Sequence, residues 1–379
     1  MKLRASLVFG LSVKQGPPTT TGQPLNPIYF ENISPRIMGS SDENPILLAG
    51  VGVREFRNYL LVIVGLPSEK EYEAILNGAS DPRSHSPTLC TSYLDIMLLA
   101  NKLGRPKLYE WAWGMLYRLF TLKSMHQLAS HTWDKDTLLR LRSFMRGDMF
   151  METLALNFIH YFIGISVSET TTEDTPAPPN YRTCVQIYKD PALPKNDHPL
   201  FGCIFLSVLC QGHHSAMWTK YLTGKDKTIL YVAQAQLTRV SEEFHSLHWL
   251  LQPVSGSTLP AFSSICAQCQ RKFVALWDAS FGRCGKLNSL TPLEDISSLI
   301  YLLQYRQSLA NKWNEYKTVP SSAPKHPITW FTKKSSVSIC CDNECSLHEV
   351  LANIDEHIQQ VYAEFARQYH RFTIEVKEM

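Results

Sequence analysis

Four cysteines carry the strongest chemical signal in this sequence. Cys266 and Cys269 form a Cys-x-x-Cys pair, and Cys341 and Cys345 form a Cys-x-x-x-Cys pair about 70 residues later. Four thiolates placed in a tetrahedron at about 2.3 Å from the metal make a structural zinc site. Three further residues carry donor atoms that could replace one of these ligands: Cys284, Cys340 and His348. One hypothesis is therefore a zinc-stabilised binding domain.

The element that holds the first pair favours a simpler interpretation. The apolar spacing predicts a helix over 261–281, and Cys266 and Cys269 continue on one of its faces as Phe273 and Trp277. A buried free thiol packs as a small hydrophobic side chain. We therefore expect both cysteines to be reduced core residues, and we assign no metal ligand, no cofactor and no catalytic residue. Zinc held by the four cysteines stays the alternative.

The other chemical signatures fail on their spacing. His213 and His214 are adjacent, so they point to different sides of a helix or strand, and a solvated turn explains them more simply. Residues 50–52 lack the third glycine of a dinucleotide loop, and residues 224–228 lack the upstream glycine of a phosphate loop. We expect a protein that is not an enzyme. An enzyme of unrecognised type that uses Cys and His residues of the C-terminal region stays an alternative.

The composition limits the classes of protein to which the chain can belong. Apolar residues make up 44% of the 379 residues, so the chain can bury large cores. The 37 basic and 34 acidic residues nearly cancel, which gives no reason to expect nucleic acid as a partner. No apolar run approaches the ~18–20 residues that span a bilayer, so we expect no membrane association. A chain of this length does not need disulfides, and its ten cysteines indicate reduced thiols in an intracellular protein.

The elements that must position these residues are mostly helical. A short apolar run predicts a strand over 46–51, followed by a helix over 53–64 that packs on it. A second helix is expected over 91–103, and a third begins at Pro106 after a left-handed cap at Gly104. Further helices are predicted over 136–165, 201–211, 228–252, 261–281, 292–317 and 346–372. Segments rich in Pro with Thr or Ser predict connectors over 166–200 and 318–338.

Two stretches resemble the fungal BTB/POZ-like family. Residues 39–51 read GSSDENPILLAGV and are followed by Phe56 and Leu60-Leu61, which is similar to the polar turn, short strand and helix in the middle of that domain. Residues 93–103 read YLDIMLLANKL and lead to Trp111 and Ala112, which resembles the closing two-helix hairpin. Ser6-x-Val8-Phe9 is similar to the end of an earlier helix of the family. The resemblance covers about a quarter of the chain.

The resemblance implies an α+β fold, mostly helical, in which a truncated BTB/POZ-like α/β domain precedes a helical C-terminal region. The initial strand hairpin and helix of the family have no counterpart here, so dimerisation does not follow from it. It implies a protein–protein interaction module, scaffold or adaptor, whose partner is another protein or a second copy. The predicted organisation is an irregular segment over 1–38 with a remnant helix at 6–12, the BTB/POZ-like domain over 39–122, a helical extension over 123–165, a linker over 166–200 and the helical C-terminal region over 201–379.

Overall fold

A computed structural model describes nine stretches of the chain. They are residues 50–66, 68–120, 122–145, 149–167, 180–237, 244–252, 254–282, 296–318 and 347–378. These stretches are mostly helical, as expected, and they contain no β-strand. Across the same stretches, no helix has both the length and the hydropathy that a membrane crossing requires. The chain divides into two compact units, residues 1–124 and 125–379.

In its described residues, the first unit contains four α-helices and two short 3₁₀ turns. The helices are α1 (Val53–Val64), α2 (Lys70–Asn77), α3 (Pro87–Lys102) and α4 (Pro106–Leu119), and the turns are Gly78–Ser80 and Pro82–Ser84. The sequence correctly predicts the bounds of α1 and the start of α4. Gly104 has a φ of +61°, the left-handed conformation expected between the two helices of the hairpin.

The start of α3 has a local explanation that the sequence prediction missed. The Ser86 hydroxyl accepts a hydrogen bond from the Leu89 amide at 3.2 Å, and Pro87 occupies the first helical position. A serine cap followed by proline is a standard helix start, because both residues accommodate the unpaired amides of the first turn. The helix therefore begins four residues before the predicted Thr91.

Helix α1 packs on α3 through one apolar contact and one polar contact. Tyr59 lies in a buried cluster with Leu99 and Ala100. Beside it, the Asp95 carboxylate is fully buried and accepts hydrogen bonds from Arg54 Nε at 3.2 Å and Asn58 Nδ2 at 2.8 Å. Because a buried carboxylate needs partners, this contact fixes the rotation of α1 about its own axis.

The predicted strand over 46–51 is only partly visible. Residues 46–49 lie outside the described stretches, and the prediction is wrong for its last two residues. Gly50 forms a turn with a φ of +67°, and Val51 has no strand partner. Gly52 then caps α1, and its amide donates to Glu55 Oε2 at 3.0 Å. With a left-handed residue at Gly50 and the helix cap at Gly52, residues 50 and 51 cannot continue a strand.

The second unit contains twelve further α-helices in the described residues. They are α5 (Leu122–Ser130, from Met125 onward), α6 (Lys135–Phe144), α7 (Met149–Val167), α8 (Tyr181–Tyr188), α9 (Leu193–Asn196), α10 (His198–Gln211), α11 (Ala216–Tyr221), α12 (Gly224–Gln236), α13 (His248–Leu251), α14 (Ala267–Phe281), α15 (Leu302–Thr318) and α16 (Leu347–Glu378). Short 3₁₀ turns lie at His245–Leu247, Pro260–Ser264 and Ser298–Tyr301.

Helix α10 is the centre of this unit. Every residue from Leu200 to Leu209 is buried, as expected for a helix that is apolar all round. It contacts α7, α8 and most extensively α16. At Gly202 an added Cβ would overlap the backbone carbonyl of Tyr362 in α16, so the two backbones touch there. Only glycine permits this approach, since the obstacle is helix backbone and not a flexible side chain.

The predicted connector over 166–200 is wrong for its first two residues, which end α7, and for its second half. Residues 168–179 lie outside the described stretches, but residues 180–200 form α8, α9 and the start of α10. Tyr181, Cys184 and Ile187 are fully buried. The many prolines of this region hid the apolar spacing of a short helix. Three of these prolines lie in a turn or in the first turn of a helix, where proline is compatible with helical structure.

Several predicted helices are shorter or differently divided. The predicted helix over 228–252 is divided. Helix α12 begins earlier, at Gly224, and ends at Gln236; residues 238–243 lie outside the described stretches, and a 3₁₀ turn and α13 follow. The region 261–281 begins as a 3₁₀ turn and becomes α14 only at Ala267. The connector over 318–338 lies outside the described residues except for Thr318, which ends α15. The last helix is longer than expected and runs to Glu378.

We predict that Gly202→Ala destabilises the protein by about 3 kcal/mol, at the upper end for an overpacked core. Its Cβ has to displace a helix backbone. The matched control is Gly114→Ala in α4, where a Cβ meets nothing within 4 Å. That change should stabilise by about 0.5–1 kcal/mol because alanine favours helix. Urea unfolding of both variants measures the difference, and equal midpoints would contradict the assigned contact.

Candidate functional site

The first cysteine pair is only partly as expected. Cys269 is fully buried in α14 together with Phe273, and Trp277 is nearly so. Cys266 is half-buried and lies one residue before the helix, with extended backbone angles. The prediction that both thiols share a helix face is therefore wrong for Cys266. The reason is local, since the chain leaves the 3₁₀ turn at Ile265 in an extended conformation and starts α14 afterwards.

The second pair cannot be compared with the first. Cys341 and Cys345 lie outside the described residues, as do Cys284 and Cys340, so the choice between zinc and core thiols for the four cysteines stays a prediction. His348 is exposed in the first turn of α16. In the part of the chain that the structure describes, no group of three or more His, Cys, Asp or Glu side chains is placed to hold a metal ion.

The other residues singled out from the sequence lie in ordinary local structures. His213 and His214 are exposed in a turn after Gly212, which has a φ of +73°. The segment similar to a phosphate loop is a helix start, where Thr223 and Asp226 form a reciprocal capping box. These two residues make hydrogen bonds to the backbone amides at the start of α12. Asp226 Oδ2 accepts a hydrogen bond from the Thr223 amide at 2.9 Å.

The most unusual polar cluster of the described residues surrounds Arg142 on α6. Its guanidinium donates to Asp197 Oδ2 at 2.7 Å through Nε and to Glu152 Oε1 at 2.8 Å through Nη1. Asp197 also caps α10, accepting the Leu200 amide at 3.3 Å. Arg142 and Asp197 are both buried. The cluster therefore ties α6, α7 and the start of the central helix together.

His160 on α7 lies beside this cluster and is almost completely buried, with 1% of its surface exposed. Its ring meets the Tyr362 ring edge to face, with centroids 4.7 Å apart. Burial lowers the pKa of His160 to about 3; Arg142 lowers it further, and Asp197 and the Pro199 carbonyl oppose the shift. Neither ring nitrogen makes a well-formed hydrogen bond to a described residue. His160 is thus neutral at physiological pH.

A second ion pair, with a buried carboxylate and a partly buried arginine, joins α15 and α16. Arg306 on α15 donates to Asp355 Oδ2 on α16 at 2.7 Å. Burial raises the pKa of Asp355, while Arg306 and a hydrogen bond from Asn157 on α7 oppose the rise. Asn157 and His160 are three residues apart on α7, so one face of that helix meets both polar groups.

Two thiols also lie in this interior. Cys184 on α8 and Cys203 on α10 are fully buried, and burial raises the pKa of both, that of Cys184 to about 12. A thiolate is the reactive form of cysteine, so both thiols are protonated and unreactive. The polar groups of this interior hold helices in register.

The surface of the first unit has a different character. Of the seven large apolar side chains that are well exposed in the described residues, five belong to it: Val53, Ile63, Val64, Leu66 and Tyr117. The other two, Tyr231 and Ile374, are in the second unit. On α4, the Trp113 and Tyr117 rings stack with centroids 5.7 Å apart and planes 12° apart. Tyr117 is 38% exposed and Trp113 is half-buried.

Sequence reasoning missed both the buried cluster and the aromatic pair. It assigned the aromatic residues to cores, although Trp113 and Tyr117 are one turn apart on a helix whose opposite face is apolar. The sequence did contain a sign of Asp197, because Asp197-His198-Pro199 is a cap residue followed by proline in the first turn. Nothing in a single sequence pairs Asp197 with Arg142, 55 positions earlier.

Comparisons with protein-family models, with curated proteins and with solved structures gave no match.

We predict that Arg142→Met destabilises the protein by about 3–5 kcal/mol, since it leaves the Asp197 carboxylate buried without its cation. The matched control is Arg57→Met, which breaks an exposed pair with Glu71 at 2.8 Å. Exposed pairs contribute at most about 1 kcal/mol. Denaturant unfolding at neutral pH distinguishes the two losses, and similar losses would show that the buried pair does not hold the helices.

We predict that His160→Gln makes the free energy of unfolding fall less steeply as the pH is lowered from 7 to about 4. The pKa of His160 is about 3 in the folded chain and 6.5 in the unfolded chain, so between these values only the unfolded state takes up this proton. Folding stability therefore falls as pH drops below 6.5, by up to about 1.4 kcal/mol per pH unit from this residue. Urea unfolding at several pH values from 7 to about 4 measures it.

Proposed function

We propose that the chain is a non-enzymatic protein–protein interaction module, with a BTB/POZ-like first unit and a helical second unit as scaffold. The observation that carries the proposal is the stacked Trp113–Tyr117 pair on the outer side of α4. Tryptophan and tyrosine are enriched where interfaces gain most of their binding energy, because they bury a large area at a low cost in conformational entropy.

The surroundings of the pair fit a docking surface. Gly114 lies between the two aromatic residues in sequence. A Cβ added there would meet nothing within 4 Å, so no described residue fills the space beside this position. Glu110 and Arg118 are exposed on the same helix and supply polar groups near the apolar centre. An aromatic centre with a polar rim is the common anatomy of a protein interface. Stacking holds Tyr117 in place before a partner arrives.

The order of elements supports the family part of the proposal. Helix α1 starts two residues after Gly50-Val51, where the resemblance puts the first helix, and α3 and α4 form the expected hairpin around Gly104. The strand that the family would place before α1 falls mainly outside the described residues. The fungal BTB/POZ-like assignment therefore stays a proposal, and so does the identity of the partner, another protein or a second copy.

Photocrosslinking from position 117 tests the proposed function. The full chain is produced in cells of the organism that encodes it, with p-benzoylphenylalanine replacing Tyr117, and is irradiated. We expect one discrete adduct of higher mass, identified by mass spectrometry as a second copy or another protein, and we expect Trp113→Glu in the same chain to reduce it about tenfold or more, as loss of a central aromatic residue does.

The matched control places the same photoreactive residue at Tyr231, which is 49% exposed in the second unit. This position should give no discrete adduct. Equal adducts from both positions, or none from position 117, would contradict an interaction surface on α4. Circular dichroism of the purified Trp113→Glu variant and of the wild-type chain serves as the folding control. Equal spectra show that the adduct is lost because binding is lost and not because the chain has unfolded.

A further inference from the structure

The charges beside the aromatic pair of α4 are mainly positive. Arg105 precedes the helix at its N-cap position, Lys107 lies in its first turn, and both side chains are exposed. Neither makes an ion pair with a described residue. Glu110 is the only acidic residue of the helix. The α4 surface, defined as Arg105, Lys107, Trp113 and Tyr117, therefore presents two aromatic rings and two unpaired cations.

The stability of α4 does not explain the position of Lys107. The free amides of a first turn carry a partial positive charge, so a cation placed there destabilises the helix. The first turn of α4 contains no acidic residue that would offset this effect, and the Arg105 side chain makes no capping hydrogen bond. A partner that brings carboxylates to these cations would remove an unfavourable interaction and form ion pairs. The α4 surface is therefore complementary to a negatively charged surface.

The start of α2 has this complementary chemistry. Glu69 precedes the helix and Glu73 follows one turn later, and both are exposed. Neither carboxylate makes an ion pair with a described residue. Leu66, which is 59% exposed, lies one turn before them, because its carbonyl accepts a hydrogen bond from the Glu69 amide at 2.9 Å. The α2 surface, defined as Leu66, Glu69 and Glu73, thus presents an exposed apolar side chain beside two unpaired carboxylates.

The minority charges of the two helices also match. Lys70 is the only basic residue of α2 and is exposed, whereas Glu110 is the only acidic residue of α4 and is exposed. Each helix therefore carries the opposite of what the other carries, in its main charge and in its single exception. Complementary charges of this kind select a partner and fix its register.

Within one copy, the two surfaces lie at different ends of α1. The end of α3 is beside the start of α1, since a Cβ added at Gly50 would lie 3.5 Å from Lys102 Nζ. Arg105 follows directly after the tight turn at Gly104. Leu66 comes after the other end of α1, and the twelve residues of that helix span about 18 Å at 1.5 Å per residue. The unpaired cations and carboxylates are therefore too far apart to pair within the copy.

We propose that the partner of the α4 surface is a second copy of this chain, which offers its α2 surface. This inference rests on the proposed interaction function and names its partner. The cations of the α4 surface pair with the carboxylates of the α2 surface, and the aromatic pair covers Leu66. Because the two surfaces are different patches of the chain, the contact is head-to-tail, and each copy keeps one surface for a further neighbour.

Sedimentation velocity of the purified full chain at low ionic strength tests the proposal. We expect the wild type to form a species larger than the monomer, and about 0.5 M salt to shift it toward the monomer, because salt screens exposed charges. Glu73→Lys and Lys107→Glu should each weaken association about tenfold, since each places like charges opposite one another. The matched control is Arg83→Glu, which reverses an exposed charge outside both surfaces and should leave association unchanged.

A mixing experiment tests the head-to-tail arrangement. The Trp113→Glu chain keeps its α2 surface, and the Glu73→Lys chain keeps its α4 surface. At a concentration near the wild-type dissociation constant, each variant alone should be mostly monomeric, whereas their equimolar mixture should form a heterodimer. Formation of the heterodimer also shows that both variants are folded. A mixture that stays monomeric, or a Glu73→Lys chain that associates as tightly as the wild type, overturns the proposal.

Photocrosslinking separates this proposal from the proposed function. The purified chain with p-benzoylphenylalanine at position 117 is mixed with isotope-labelled wild type and irradiated. We expect an adduct between copies whose labelled peptide contains Leu66 or residues of α2. A monomeric purified wild type, together with an adduct to a different protein in cells, overturns the second copy as partner and leaves the interaction function standing. The absence of any adduct from position 117 in cells contradicts both.

Discussion

The second unit depends on the backbone contact between α10 and α16 at Gly202. The Tyr362 carbonyl occupies the space where any other residue at position 202 would place its Cβ. This close approach lets the same turn of α16 make two further contacts. The Tyr362 ring packs against His160 of α7, and its hydroxyl donates to the Leu299 carbonyl at 2.9 Å. One residue of α16 thus connects the central helix, α7 and a 3₁₀ turn.

Buried ion pairs restrict how the remaining helices can be arranged. An apolar helix face tolerates sliding and rotation, because most hydrophobic neighbours are equivalent. The Arg142–Asp197 and Arg306–Asp355 pairs do not tolerate such movement. Any shift of the helices would separate the charges in a medium of low dielectric constant. Such pairs add little to stability compared with apolar residues, and their effect is to select one arrangement. Asp197 has both functions, because it caps α10 while it holds Arg142.

Elements with local causes could be predicted from the sequence, and those with distant causes could not. The bounds of α1 follow from its apolar spacing, and the α3–α4 hairpin follows from Gly104 and Pro106. Helix α8 was predicted as connector because its proline-rich surroundings carry no apolar period, whereas its stability comes from tertiary packing: Tyr181 and Ile187 are buried, and the helix contacts α6, α7 and α10. The prediction for Cys266 was wrong for a local reason. Apolar periodicity cannot show that the chain is extended between a 3₁₀ turn and the helix that follows.

The same distinction applies to function. The interior of the second unit collects a histidine, thiols and carboxylates that the sequence did not single out, and burial keeps His160 neutral and Cys184 protonated. The first unit is smaller, and a smaller unit buries a lower fraction of its apolar surface. Its two apolar surfaces differ in what borders them. On α1 the exposed residues Val53, Ile63 and Val64 are followed by exposed Leu66, whereas the α4 pair lies among exposed charged residues. A surface with a polar rim can be solvated in the free protein and still bind a partner, so a reversible contact is better placed on α4 than on α1.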